Sequence, residues 1–122
     1  MPRVIRVIGS ALFRVYIVVI SILMGWISMP IRLCLPRLAM TYAKLWARLY
    51  LAGGRFFCGI RTHVEGLEKL PRDRPFILAS QHQSAFDTLV WMNLVPLPTY
   101  VMKEELLKVP FVGPMLKLTG MI

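Results

Sequence analysis

The stretch SQHQSAFDTLVW, residues 80–91, sets His82 and Asp87 five positions apart, after one short apolar run and before a longer one. An imidazole hydrogen-bonded to a carboxylate can act as a general base. The carboxylate fixes the ring tautomer and stabilises the imidazolium that forms when a hydroxyl gives up its proton. Five residues along one straight helix is a rotation of about 140° from the first face, so the two groups meet only if His82 precedes the helix. Ser84 supplies an N-cap, and Ser84-x-x-Asp87 has capping-box spacing, which places Asp87 in the first turn and points it back toward the loop carrying His82. The same residues also make an ordinary helix start, because the helix dipole alone favours an aspartate there. Ser84 is read as a cap rather than a nucleophile, and His63, in an alternating stretch, as structural.

The elements that must position these groups follow from the flanking pattern. IRTHVEG alternates Ile60, Thr62 and Val64 before Gly66, which predicts a strand and turn. FILAS, 76–80, is a short continuous apolar run of the kind found in strands covered on both faces. Residues 84–95 predict a helix stopped by Pro96 and Pro98; TYVM, 99–102, predicts another strand, and KEELLKV a helix closed by Pro110. Strand, helix and strand in this order predict a right-handed βαβ unit with parallel strands. Both His82 and Lys103 would then stand at the carboxyl edge, where α/β sheets bind ligands.

The first half has a different character. Residues 1–64 hold nine Arg or Lys and no acid, whereas 65–122 hold six of each sign, so the net charge of +9 belongs to the first half. With 57% of residues apolar, the chain is too hydrophobic for an ordinary soluble domain. No nucleic-acid module is present, so the anionic partner expected of the basic half is a membrane lipid surface. VYIVVISILMGWISMPI, 15–31, is uncharged and flanked by Arg14 and Arg32. As a helix it is about 25 Å long, short of a bilayer core of about 30 Å. Arginines on both flanks pull both ends to one side of the membrane, which a shallow or re-entrant helix satisfies. In 37–55, Leu38, Tyr42, Leu45, Trp46 and Leu49 share one face, and Arg37, Lys44, Arg48 and Arg55 another, with Gly53 and Gly54 as the stop. This is a basic amphipathic helix suited to a headgroup layer, or one packed on the domain with its basic side in water. Cys34 and Cys58 lack metal-ligand or C-x-x-C spacing and are expected to be buried free thiols.

VEGLEKLPRDRPFILASQHQSAFDTLVW, continued by YVMKEELLKVPFVGPMLKLTGMI, resembles the glycerophospholipid acyltransferases, specifically the lysophosphatidate acyltransferases, across residues 60–122. The resemblance implies residues 1–55 as membrane-docking helices and 56–122 as the first part of an α/β domain with a mostly parallel sheet. It implies His82 and Asp87 as the catalytic pair and Lys103 as a contact to substrate phosphate, with no metal and no cofactor beyond the acyl donor. Gln81 departs from the family's usual asparagine. The implied activity is acyl transfer from acyl-CoA or acyl-carrier protein to lysophosphatidic acid, on the cytoplasmic face of a membrane such as a bacterial inner membrane. The family's second-motif arginine and its Glu-Gly-Thr-Arg motif do not occur here, so the chain is expected to be an amino-terminal fragment of a longer enzyme, inactive by itself. Two other readings stand beside this one: an acyltransferase for another lysolipid or glycerol 3-phosphate, and a small membrane-bound interaction protein whose His82 and Asp87 only finish a helix.

Overall fold

In a computed structural model that describes residues 3–81, 83–110 and 112–121, the chain is a helical assembly built on an antiparallel hairpin. Helix α1 runs from Arg3 to Cys34 and α2 from Ala39 to Cys58. Leu35 and a 3-10 turn at Pro36–Leu38 reverse the chain between them. Proline at the start of that turn gives up no backbone donor the turn needs. α1 begins well before the expected residue 15 because Arg3, Arg6 and Arg14 are strong helix formers interleaved with Val4, Val7 and Leu12. Its 32 residues give a length of about 48 Å, ample for a bilayer core. Among the described residues α1 is the one helix long and apolar enough to cross a membrane, and only 11% of its most apolar window is buried.

Small residues let the hairpin close. A side chain at Gly9 would run into the Phe57 carbonyl, and one at Gly53 into the Tyr16 ring. Along the hairpin, the Tyr16 hydroxyl donates to the Leu49 carbonyl (2.9 Å), the Trp46 indole N–H to Ser21 Oγ (3.4 Å) and the Tyr42 hydroxyl to the Met24 carbonyl (2.6 Å). Gly53 and Gly54 therefore do not stop α2 as the sequence suggested; the helix continues to Cys58. Gly59 ends it in the left-handed conformation (φ 68°), its N–H donating to the Arg55 carbonyl at 3.1 Å. Phe13 sits edge-on to Tyr50 and Tyr16 tilts against Phe57, so an aromatic column fills the seam. Cys34 is exposed, not buried, because it falls at the hairpin tip beyond the packed seam; Cys58 is half-buried.

The second half attaches to α2. Helix α3, Ala85–Leu94, lays Leu89 and Met92 on Ala47 of α2, and Trp46, Tyr50, Tyr100 and Met121 close around them. Helix α4, Val112–Leu118, contacts both hairpin helices and the 3-10 turn Glu104–Lys108 before it, with Gly113 against the Leu107 backbone.

The expected α/β architecture is not what forms. Among the described residues there is no strand and no sheet; 60–64, 76–80 and 99–102 have no ladder, and KEELLKV gives only the 3-10 turn. Ile77 is 98% exposed and Val101 88%, where strands covered on both faces would bury them. An apolar run of four or five residues carries no period that separates a strand from an extended connection, and a strand exists only through its neighbours' backbone groups. Here the buried face of α3 is covered by α2, and no βαβ unit is built around it. The shared sheet edge expected for His82 and Lys103 falls with the sheet.

Seam packing can be tested at adjacent glycines. At Gly54 an added methyl would meet Phe86 and Phe13 at ordinary contact distance, 3.6 and 3.7 Å, whereas at Gly53 it would overlap the Tyr16 ring. Gly53→Ala should lower stability by about 1–3 kcal/mol through overpacking. Gly54→Ala should be neutral or stabilising by up to about 1 kcal/mol through helix propensity. Thermal denaturation of both variants in lipid nanodiscs checks this, and equal stability would show that the seam is not packed as described.

Candidate functional site

The amino end of α3 is built as its sequence suggested. Ser84 is the N-cap in an extended conformation, and Asp87 occupies the third helical position of a capping box. One carboxylate oxygen, Asp87 Oδ2, accepts the backbone N–H of both Ser84 (3.0 Å) and Gln83 (2.9 Å). The carboxylate is thus turned back over the residues that immediately follow position 82 in sequence. His82 itself lies outside the described residues. Phe86, between the two motif residues, rests at Gly54 beside Phe13, so the start of α3 is seated on the hairpin near the amino end of α1.

Lys103 is exposed and opens the 3-10 turn Glu104–Lys108, its carbonyl accepting the Leu106 N–H at 3.1 Å. It belongs to a segment that is tied to α3 three residues upstream. The Tyr100 hydroxyl donates to the Thr88 carbonyl (2.9 Å), the residue next to Asp87. Burial pushes the Tyr100 phenol up to about 12, so it stays protonated as this donor at neutral pH. The structure therefore brings the Lys103 segment to the Asp87 end of α3 without the strand pairing that the sequence suggested. His63, read from the sequence as structural, is exposed, with its Nε2 2.9 Å from Glu65 Oε1 on the surface.

The other end of α3 holds contacts that the sequence reading missed. Lys44 Nζ donates to the Val95 and Pro96 carbonyls, both at 2.7 Å, and Arg48 Nε donates to Asn93 Oδ1 at 3.1 Å. Pro96 and Pro98 prevent the helix from continuing, and the Val95 and Pro96 carbonyls just past its last residue, Leu94, take Lys44 as their donor. A cation at that end also opposes the helix dipole, worth about 0.3–1 kcal/mol. These two α2 cations, assigned from sequence to a headgroup-facing or solvated stripe, face α3. No local signal links residue 44 to residue 95; an i, i+4 basic pair reads the same on a solvated face. Arg37 and Arg55 remain exposed on the turn and on α2, and on α1 Arg3, Arg6, Ser10 and Arg14 line a groove of about 780 Å³ with Val7, Ala11 and Val15. Among the described residues no cluster of His, Cys, Asp and Glu is placed to hold a metal ion.

A family model described as acyltransferase matches residues 61–122. The 1-acyl-sn-glycerol-3-phosphate acyltransferase of Pseudomonas aeruginosa is 32% identical over 111 residues, covering 89% of this chain and 43% of that protein. The 1-acyl-sn-glycerol-3-phosphate acyltransferase alpha proteins of Mus musculus and Homo sapiens are each 31% identical over 105 residues, covering 80% of this chain and 36% of theirs. The chain thus spans less than half the length of these curated relatives. No solved structure matches it.

Asp87 carries a structural duty that can be separated from any chemistry. Asp87→Ala removes the acceptor of two backbone donors and should cost about 0.5–2 kcal/mol, whereas Asp87→Asn keeps an acceptor oxygen and should lose less. Amide exchange at Gln83 and Ser84 reports the cap directly. Unchanged protection in Asp87→Ala would show that the carboxylate does not hold this turn.

Proposed function

Because this chain belongs to the acyltransferase family, we propose that it serves acyl transfer from acyl-CoA or acyl-carrier protein to the free sn-2 hydroxyl of lysophosphatidic acid, giving phosphatidic acid. The observation that carries this reading is the Asp87 carboxylate turned back over Gln83 and Ser84, next in sequence to His82, within the stretch matched by the family model. A lysophospholipid hydroxyl is a poor nucleophile at neutral pH. His82 takes its proton as the oxygen attacks the acyl thioester carbon, and Asp87 orients the imidazole and offsets its positive charge. The new C–O bond forms, the C–S bond breaks, and the proton held by His82 passes to the departing thiolate. The substrate hydroxyl takes the place of an enzyme serine, so no acyl-enzyme forms. Lys103 meets the acceptor phosphate as a point charge, in keeping with its exposed position on the segment bound to Thr88.

The substrates are membrane lipids, and the hairpin is suited to meet them. The surface of α1 carries Val15, Val18, Val19, Ile22, Leu23 and Trp26, each about half exposed or more, an apolar face of the kind that lipid covers. Arg3, Arg6 and Arg14 stand at the end of that face and fit the phosphates of an anionic membrane surface and of the anionic acyl donors. The proposed location is the cytoplasmic face of a membrane, the inner membrane in a bacterium.

The test is an acyl-transfer assay with lysophosphatidic acid on the whole protein, run beside a vesicle-binding assay. His82→Ala should reduce transfer by at least about 100-fold, the scale of a lost general base, with vesicle binding unchanged. Transfer retained within a few-fold of wild type would exclude His82 as the base. Parallel loss of transfer and binding would make it a folding residue instead.

A further inference from the structure

Helix α3 is ten residues long, below the length at which an isolated helix holds together in water, so its position depends on what grips it. It is gripped at both ends by one neighbour. Phe86 near its start rests at Gly54 of α2, and Val95 and Pro96 at its end receive Lys44 of α2. The intervals match: ten residues of α2 face nine of α3, so the two helices run antiparallel over about 15 Å with a contact at each end. The aromatic contact at the start is smooth and tolerates sliding. The polar contact at the end does not, because one ammonium group bonds two successive carbonyls at 2.7 Å and a shift of one residue along the axis would break both. Arg48 steadies the same end through Asn93, whose own amide donates to the Leu89 carbonyl at 3.0 Å.

We infer that Lys44 is a positioning residue, which fixes the axial setting of α3 from its carboxyl end and thereby sets where Asp87 stands at the other end. Its catalytic meaning rests on the acyl-transfer reading; the coupling between the two ends does not. Lys44 touches neither Asp87 nor the residues beside it in the structure; it acts through a short rigid rod. An error of about 1 Å in the placing of a reacting group is enough to cost a large factor in rate, and one helical residue is a displacement of about 1.5 Å.

The experiment compares Lys44→Met, which keeps the stem and loses the donor, with Lys44→Arg, which keeps a donor and the charge. Hydrogen exchange is read at the Gln83 and Ser84 amides, which bond Asp87 at the far end of the helix. Lys44→Met should speed exchange at these two amides about tenfold, Lys44→Arg much less, with the α1 amides unchanged. Faster exchange confined to Asn93–Val95 would show a local cap with no reach to Asp87 and would overturn the inference. If Lys44→Met also loosens α1 and α2, Arg48→Gln, which removes only the Asn93 contact, is judged by the same criterion. In the acyl-transfer assay, Lys44→Met should lower kcat about tenfold while KM for the acceptor stays within about twofold, and Lys44→Arg should restore kcat. An unaltered kcat despite faster Gln83 and Ser84 exchange would overturn the catalytic half of the inference. Absence of transfer by the whole protein would remove the acyl-transfer reading, and the exchange data would still decide the coupling.

Discussion

Two adjacent glycines on α2 hold the rest of the structure in place. Gly53 leaves room for the Tyr16 ring and so lets α1 come close; Gly54 takes the Phe13 and Phe86 rings and so seats α3 against the same hairpin. A helix normally presents one residue type to one neighbour, but consecutive residues lie about 100° apart around its axis and face different neighbours. A pair of side-chain-free positions therefore makes α2 a wall shared by two partners. At Gly53 the weak helix propensity, about 1 kcal/mol, is offset by the close Tyr16 packing it admits, whereas at Gly54 the Phe13 and Phe86 rings leave ordinary contact distance for a methyl.

The hairpin register then decides which parts of the molecule share a level. Gly9 lies opposite Phe57, Tyr16 opposite Gly53, Ser21 opposite Trp46 and Met24 opposite Tyr42. α3 occupies the stretch of α2 from Gly54 to Lys44, with Asp87 at the Gly54 end. The Asp87 turn consequently sits toward the arginine-bearing end of α1, and the exposed apolar residues from Val15 to Leu33 extend away from it. In the proposed function this is the arrangement that chemistry on a membrane lipid asks for: hydrocarbon along one length of the hairpin, phosphate and the reacting hydroxyl near its open end.

The start of α3 was legible in the sequence because a capping box is local: Ser84 and Asp87 are three residues apart, and their partners are their own backbone. Two lipophilic helices in the first half were legible for a similar reason, since apolar length is read within one window. The sheet was misjudged because FILAS and TYVM name a preference and no partner, and α3 found its partner in α2 instead. The glycine pair looked like a helix stop because the rings that pack there come from residues 13, 16 and 86, of which only the Tyr16 ring requires the missing side chain. Lys44 and Arg48 looked lipid-facing or solvated because their acceptors stand some fifty positions along the chain. Within the site, Asp87 lies where its spacing placed it, and Lys103 is brought to α3 by the Tyr100 hydroxyl bond, which no motif announces.

The shared wall is tested most directly by nuclear Overhauser contacts from the Gly54 α-protons in the protein held in lipid nanodiscs. Cross-peaks to the ring protons of both Phe13 and Phe86 are expected, since both rings lie within 4 Å of where a Gly54 side chain would begin. Contacts from Gly54 to Phe13 and lipid chains alone, with Phe86 elsewhere, would mean that α3 does not sit on the hairpin and would contradict the account of how the Asp87 turn is placed.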